Sequence, residues 1–181
     1  MHGVIFTSLR HFANARLGAA HALELWRDEP AYLITGAYPD EEFLRLFRRV
    51  AEAAAADEEV LLRDFGVFAA GTTFGLLYPS FFDQARSARD FMLSVEERIH
   101  EVVRATLADA QPPRLHVRPL GEDGVHITYD SPRRLCALLA GLAIGATRRL
   151  GERVMLTETS CMHRGDAACE FELRFAPGRP A

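Results

Sequence analysis

The feature that most constrains this chain is a change of hydrophobic period at Gln111-Pro112-Pro113. Before that point apolar residues recur every three or four positions, and after it they alternate. A proline pair ends a helix because it removes backbone donors and pushes the preceding residue out of the helical region. Residues 1 to about 109 therefore read as helical, and residues from about 112 onward as mixed strand and helix.

Within the first part, Val4, Leu9, Phe12 and Leu17 share one loose apolar face. Phe43, Leu44, Leu46 and Val50 predict a helix over 41–56 with Asp40 as its N-cap, and the alanine run 53–56 continues it as good helix former. Val60, Leu61, Phe65 and Phe68 predict another over 59–70, and Tyr78-Pro79 breaks the chain. A long helix spans 87–107, with Phe91, Val95, Ile99, Val102, Val103 and Leu107 near helical spacing. On it, Asp90, Glu96 and Glu97 sit at spacings that suit a solvated face.

Beyond the prolines, Leu115, Val117 and Leu120 belong to a strand, Gly121–Gly124 to a turn, and His126–Tyr129 to a second strand, across which His116 and His126 are expected to face each other. Ser131-Pro132 predicts a helix start, serine capping and proline at the first helical position, with the helix running to about Leu150 and Gly151 as its stop. Strands over 153–159 and 168–175 flank a turn at His163–Asp166. Residues 176–181 read as a frayed tail. The chain is thus α+β: a helical N-terminal lobe, then a C-terminal lobe with a roughly four-stranded antiparallel sheet plus helices.

A length of 181 residues with 49% hydrophobic and 25% charged content fits one globular domain. The net charge of −4 supplies no basic field for nucleic acid or an anionic membrane, and the pairs Arg48-Arg49 and Arg148-Arg149 are too short to make a patch. No stretch of eighteen apolar residues runs uninterrupted, and the N-terminus lacks a signal-type apolar segment, so a cytoplasmic location with reduced cysteines is expected. His2, His11 and His21 are scattered and read as surface residues. Neither a glycine-rich phosphate loop nor a Gly-x-Ser-x-Gly elbow occurs, and no catalytic set emerges, which favours a binding module over an enzyme.

Two features rise above that background. Tyr129-Asp130-Ser131-Pro132-Arg133 offers two hydroxyls and a guanidinium at a strand end. If they converge they make a carboxylate-binding cluster; otherwise they are a strand end, a cap and a surface arginine. The other is His100, late on the long helix beside Val95, Ile99 and Val103. A neutral imidazole in an apolar cavity is the usual protein ligand for haem iron, although a lone histidine on such a face is more often a satisfied core residue.

Together, and in order with Met1-His2-Gly3-Val4-Ile5, Tyr78-Pro79-Ser80-Phe81-Phe82, Pro112-Pro113-Arg114-Leu115 and Gly141-Leu142, these residues resemble the haem-NO/oxygen-binding (H-NOX) family over about residues 1–175. This is also the sensor fold of soluble guanylate cyclase. The resemblance implies one haem-NO-binding domain over 1–175, with a helical subdomain to about 65 and a haem-binding subdomain over about 66–175. It implies haem b with iron held by His100, propionates held by Tyr129, Ser131 and Arg133, a porphyrin pressed by Pro113, and a pocket lined by Ile5, Phe74 and Leu138. It implies NO sensing, in which loosening of the iron–His100 bond shifts the helix and signals in trans to an effector such as a histidine kinase or a cyclic-dinucleotide enzyme. Two departures stand out. The stretch from Phe91 to His100 is about one residue longer than the family pattern, and Leu138 falls where oxygen-binding members carry a distal tyrosine. Without that hydroxyl, NO is expected to be preferred, with weaker CO and little O2 binding.

Cys136, Cys161 and Cys169 all fall in the C-terminal part. Three thiolates and one further ligand make a closed tetrahedral zinc site; the alternatives are buried thiols or a redox-active disulfide. Some bacterial members of the same family hold structural zinc with three cysteines in this spacing and a histidine, which falls at Glu158 here, so Glu158 or His163 is expected as the fourth ligand. The stretch also resembles 4-vinyl reductase-type ligand-binding domains. A zinc- or thiol-based redox sensor on this fold, or a small-molecule-binding relative of that second type, are the competing readings.

Overall fold

In the computed structural model, which describes residues 1–106 and 111–178, the chain is α+β as expected. Helices α1 (Gly3–Leu17), α2 (Ala19–Leu25) and α3 (Asp40–Ala53) build the first lobe. The long α4 (Glu58–Leu77) leads out of it to a short α5 (Pro79–Asp83). Helix α6 begins at Ala88–Ser94, passes through a π-helical turn at Val95–His100 and continues through Glu101–Thr106. Strands β1 (Arg114–Leu120) and β2 (Gly124–Asp130), helix α7 (Cys136–Arg149), and strands β3 (Glu152–Ser160) and β4 (Cys169–Pro177) complete the order. The sheet is antiparallel in the order β1-β2-β4-β3.

Several boundaries differ from expectation for identifiable reasons. Asp40 is the first residue of α3 rather than its cap, because its carboxylate is engaged elsewhere, and the alanine run leaves the helix at Ala54, with Ala55 at a left-handed φ of 48°. Asp57 caps α4 instead, accepting the Val60 N–H at 3.0 Å. Helix α4 outruns its predicted end at residue 70 by taking a π-helical turn at Ala69–Phe74, and Tyr78, with φ −131° and ψ 50°, ends it before Pro79. Ser87 caps α6 by accepting the Asp90 N–H; Leu107, predicted on that helix, lies outside the described residues.

The largest correction concerns Ser131-Pro132, where no helix starts. The Arg134 N–H bonds the Ser131 carbonyl at 3.0 Å, Arg134 has φ 52°, and the Leu135 N–H donates to the Tyr129 hydroxyl at 3.0 Å, so the chain makes a turn and α7 begins only at Cys136. Two residues read as tail belong to the sheet. Ala176 and Pro177 extend β4, the Gly178 N–H bonds the Gly151 carbonyl at 3.1 Å, and residues 179–181 lie outside the described set. His2 is half-buried rather than exposed, and its Nε2 is enclosed with no hydrogen-bond partner among the described residues. His116 pairs with Thr128 and His126 with Arg118, so the two histidines are diagonal neighbours and not opposite each other.

Helix α4 is long and apolar enough to cross a membrane by length and composition, but its buried side faces α7. The two helices touch through glycines: a Cβ on Gly141 would stand 2.0 Å from the Arg63 carbonyl oxygen, and one on Gly66 2.6 Å from the Leu138 oxygen. Apolar side chains fall into two clusters. Phe6, Phe43, Leu46 and Phe65 centre the first, each worth roughly 1.5–3 kcal/mol on burial. Ile127, Phe171 and Leu173 centre the second, under the sheet. Phe74 and Leu142 pack against both.

Candidate functional site

Residues around this seam carry the candidate chemistry. Ile5, Phe74 and Leu138 all belong to the first cluster, with Leu138 7% exposed, while Val95 and Ile99 of α6 pack against the second. His100 ends the π-helical turn of α6. A π-helical turn holds one residue more than an α-turn, so it absorbs an extra residue without rotating the rest of the helix. The turn lies within the stretch between Phe91 and His100 where the resemblance suggested one residue more than the family pattern.

The His100 side chain is 16% exposed, and its Nδ1 stands 2.9 Å from Glu96 Oε2. Burial lowers its pKa below the ordinary value, outweighing Glu96 and the Pro113 carbonyl, which both favour the charged ring. Burial therefore favours the neutral imidazole, and the carboxylate facing Nδ1 favours a proton on that nitrogen. Glu96 was expected on a solvated face. Instead its carboxylate also accepts the Leu115 N–H at 3.1 Å and a bond from Arg104. The i,i+4 spacing to His100 was the sequence signal for this contact.

The Tyr129 and Ser131 hydroxyls meet in the turn that replaces the expected helix start, with the Arg133 backbone beside them and its guanidinium bonded to Asp40 and the Gln111 carbonyl. Tyr129 and Ser131 are each 3% exposed, their hydroxyls are hydrogen-bonded to one another, and Ser131 Oγ accepts the Arg133 N–H at 3.3 Å. Burial raises the Tyr129 pKa, so the phenol stays protonated as a donor. Arg133 donates from Nε to Asp40 Oδ2 at 2.7 Å and from Nη1 to the Gln111 carbonyl at 2.6 Å. The segment Gln111–Pro113 thus meets Arg133 at one end and His100 at the other. Arg104 Nη1 is buried with no hydrogen-bond partner among the described residues. A neutral imidazole in apolar surroundings, a hydroxyl pair, a guanidinium and an orphaned cationic donor together fit a flat apolar ligand that carries an acidic edge and a metal. That is the chemistry of haem.

A second constellation lies under the sheet edge. Cys136 Sγ, Cys161 Sγ, Cys169 Sγ and a Glu158 carboxylate oxygen all lie within 4.8 Å of one another, and could hold a metal ion. Sulfur separations of 3.9 Å (Cys136–Cys161) and 3.8 Å (Cys161–Cys169) match the edge of a tetrahedron with metal–sulfur bonds of about 2.3 Å, which is about 3.8 Å. They are far longer than a disulfide of about 2.05 Å. The local fold aims the ligands. Glu158 lies on the inward-facing set of β3 residues beside a register shift, Cys161 is followed by a 3-10 turn at Met162–Arg164, and the Met162 N–H points at Cys169 Sγ at 3.3 Å. With no ion present, burial pushes the Cys136 and Cys169 thiols up. Arg164 holds the Glu158 carboxylate at 2.8 Å. His163 is not part of the group: its Nε2 stands 2.8 Å from the Arg134 carbonyl at the surface. Open clefts line other residues, one around Ser87, Arg89 and Phe175 and one around Ser131, Arg134 and Met162 beside the cysteines.

Comparison with known proteins identifies the family and fold. The family profile described as Haem-NO-binding matches residues 2–158. No curated protein matches. Similar solved structures include an H-NOX protein from S. oneidensis in the Fe(II)NO ligation state, 22% identical with a TM-score of 0.90, covering 97% of this chain and 99% of that one. Another is the Fe(II) unliganded H-NOX protein from K. algicida, 18% identical with a TM-score of 0.84 and complete coverage of both chains (100% and 100%). A mutant of T. tengcongensis H-NOX is 20% identical with a TM-score of 0.83, covering 99% of this chain and 100% of that one.

Proposed function

The chain belongs to the haem-NO-binding family, and on that premise we propose that it is a haem-based NO sensor with His100 as the iron ligand. The observation that carries this reading is the buried His100 imidazole, held by Glu96 where the π-helical turn of α6 ends, beside Val95 and Ile99, which pack against the second cluster. Haem b, when bound, would supply a ferrous iron able to take a diatomic gas. His100 would hold the iron through its imidazole. Tyr129, Ser131 and Arg133 orient the ring by its propionates. Pro113 presses its edge, and Ile5, Phe74 and Leu138 keep water out of the gas-facing side.

Leu138 offers no donor for bound O2, which favours NO, with weaker CO and little O2 binding. The proposed division is a helical subdomain to about 65 and a haem-binding subdomain over about 66–175, with Leu135, Ala137 and Leu138 of the second part packed into the first cluster. Loosening of His100 would let α6 move against β1, giving one element two states that a ligand favours unequally. The readout is a partner protein such as a histidine kinase or a cyclic-dinucleotide enzyme, met in the cytoplasm, and the chain itself acts as a sensor and not an enzyme. The test is the visible spectrum of freshly purified protein before and after NO: a Soret band that shifts on NO supports the reading, and a colourless protein that takes up no added haem overturns it.

A second role is favoured by the tetrahedral spacing of the thiols: a structural zinc held by Cys136, Cys161, Cys169 and Glu158, sensitive to oxidation of its cysteines. Metal analysis showing one zinc per chain, released by peroxide, supports it; zinc-free protein of unchanged stability overturns it.

A further inference from the structure

Glu96 stands one helical turn before His100, and three groups converge on its carboxylate. His100 Nδ1 lies 2.9 Å from Oε2, the Leu115 N–H reaches the same oxygen at 3.1 Å, and Arg104 Nη2 donates to Oε1. The carboxylate is 23% exposed, so solvent screens these contacts only in part. Because α6 and β1 both contribute, Glu96 cannot swing away without breaking the junction between them. Arg104 is the only charged side chain paired with Glu96 among the described residues, beside the His100 ring.

We propose that Glu96 is a positioning and tuning residue for the imidazole that holds the iron, and that Arg104 restrains its effect. The inference rests on His100 being the iron ligand. Hydrogen bonds to an ionised acceptor are about twice as strong as neutral ones, and an N–H directed at a carboxylate raises the basicity of the ligating nitrogen. The Glu96 carboxylate therefore makes Nε2 the stronger donor. A stronger donor would favour ferric over ferrous iron and would resist loosening when a gas binds. Arg104 draws charge from the same carboxylate and works in the other direction. The pair thus sets how firmly His100 holds, which is the step that a sensor of this design must balance.

The test uses haem-loaded protein. Glu96→Gln keeps the size and an acceptor but removes the charge. Its iron–histidine stretching frequency in the ferrous state should fall, its reduction potential should rise, and haem retention should weaken by about 10- to 100-fold, the usual range for partners of a metal ligand. Arg104→Gln should move the frequency and the potential the opposite way. A merely structural role would send both variants in the same direction, by loosening α6 from β1, and that result overturns the proposal. If Glu96→Gln does not fold, the sign of the Arg104→Gln shift alone decides: an upward frequency supports the proposal, and a downward or absent shift overturns it. An iron–histidine band that survives in His100→Gly overturns the ligation reading and this one together. A band lost in His100→Gly but unmoved in Glu96→Gln overturns this one alone.

Discussion

Arg133 Nε donates a hydrogen bond to Asp40 Oδ2 at 2.7 Å, closing a distance of 93 positions along the chain. The contact clasps the first residue of α3 to the turn after β2, so the helical lobe is tied to the part that carries the propionate-binding candidates. Asp40 also accepts the Met1 ammonium at 2.6 Å through its other oxygen. Both oxygens are therefore used, and Arg133 is held in place before any acidic guest arrives.

This clasp has a pH signature. Burial pushes the Asp40 carboxyl up, but the hydrogen bonds from the Met1 ammonium and Arg133 outweigh it and hold its pKa below the ordinary value. A carboxyl with a depressed folded pKa binds fewer protons in the folded state, so its stabilisation is complete above the ordinary carboxyl range and is lost as pH falls through the folded value. Asp40→Asn should lower the unfolding midpoint at pH 7 and flatten the acid limb. Urea titrations at pH 7, 5 and 3 check this: the gap between the two proteins should close toward the acid end.

Replacement of His100 by glycine should abolish haem retention, and millimolar imidazole should restore a Soret band by filling the vacated ligand position. Absorption spectra of the variant with and without imidazole decide it. Binding unchanged from the parent protein would mean that another residue holds the iron.

For the cysteine site, Cys161→Ser should lose the metal and lower the melting temperature, whereas Glu158→His should retain it, imidazole being an equally good zinc donor. His163→Ala should change neither zinc content nor stability, since its ring faces the Arg134 carbonyl. Metal analysis by mass spectrometry and thermal melts with and without chelator separate these outcomes.

Where α4 crosses α7 there is no room for a methyl group. Gly141→Ala would bring its Cβ to 2.0 Å from a backbone oxygen, and backbone cannot yield as a side chain can. Overpacking of this kind costs about 1–3 kcal/mol, which for a chain of this size lowers the melting temperature by about 2–4 °C per kcal/mol. Calorimetry on the variant is the check.

Leu138→Tyr should place a hydroxyl where the gas-facing side has none and slow the loss of bound O2, measurable by stopped-flow. An unchanged O2 dissociation rate would show that the residue does not face the ligand.

Much of the fold was legible because it rests on periodicity. The break at Pro112-Pro113, the four strands and most helices come from spacing alone. Ser131-Pro132 misled because a serine cap and a helical proline are local signals, and the Tyr129 hydroxyl, brought in by β2, captured the Leu135 N–H instead. Glu96 was misread for a similar reason: its neighbours on the helix suit solvent, and only β1, arriving nineteen residues later, supplies the Leu115 N–H that draws it inward. His163 and Glu158 could not be separated in sequence, since the alternation of β3 and the turn after Cys161 decide which one faces the thiols. The π-helical turn in α6 was visible only as one residue too many before His100.

That turn has a counterpart. Residues 69–74 of α4, ending on Phe74, are wound in the same loose fashion as residues 95–100. Widened turns of this sort can tighten or migrate along a helix at small energetic expense, whereas the glycine crossing and the sheet have no such slack. Among the described residues these are the two π-helical turns, one ending at Phe74 and one at His100. A guest only two atoms across can drive a large element only if the give lies next to where it lands.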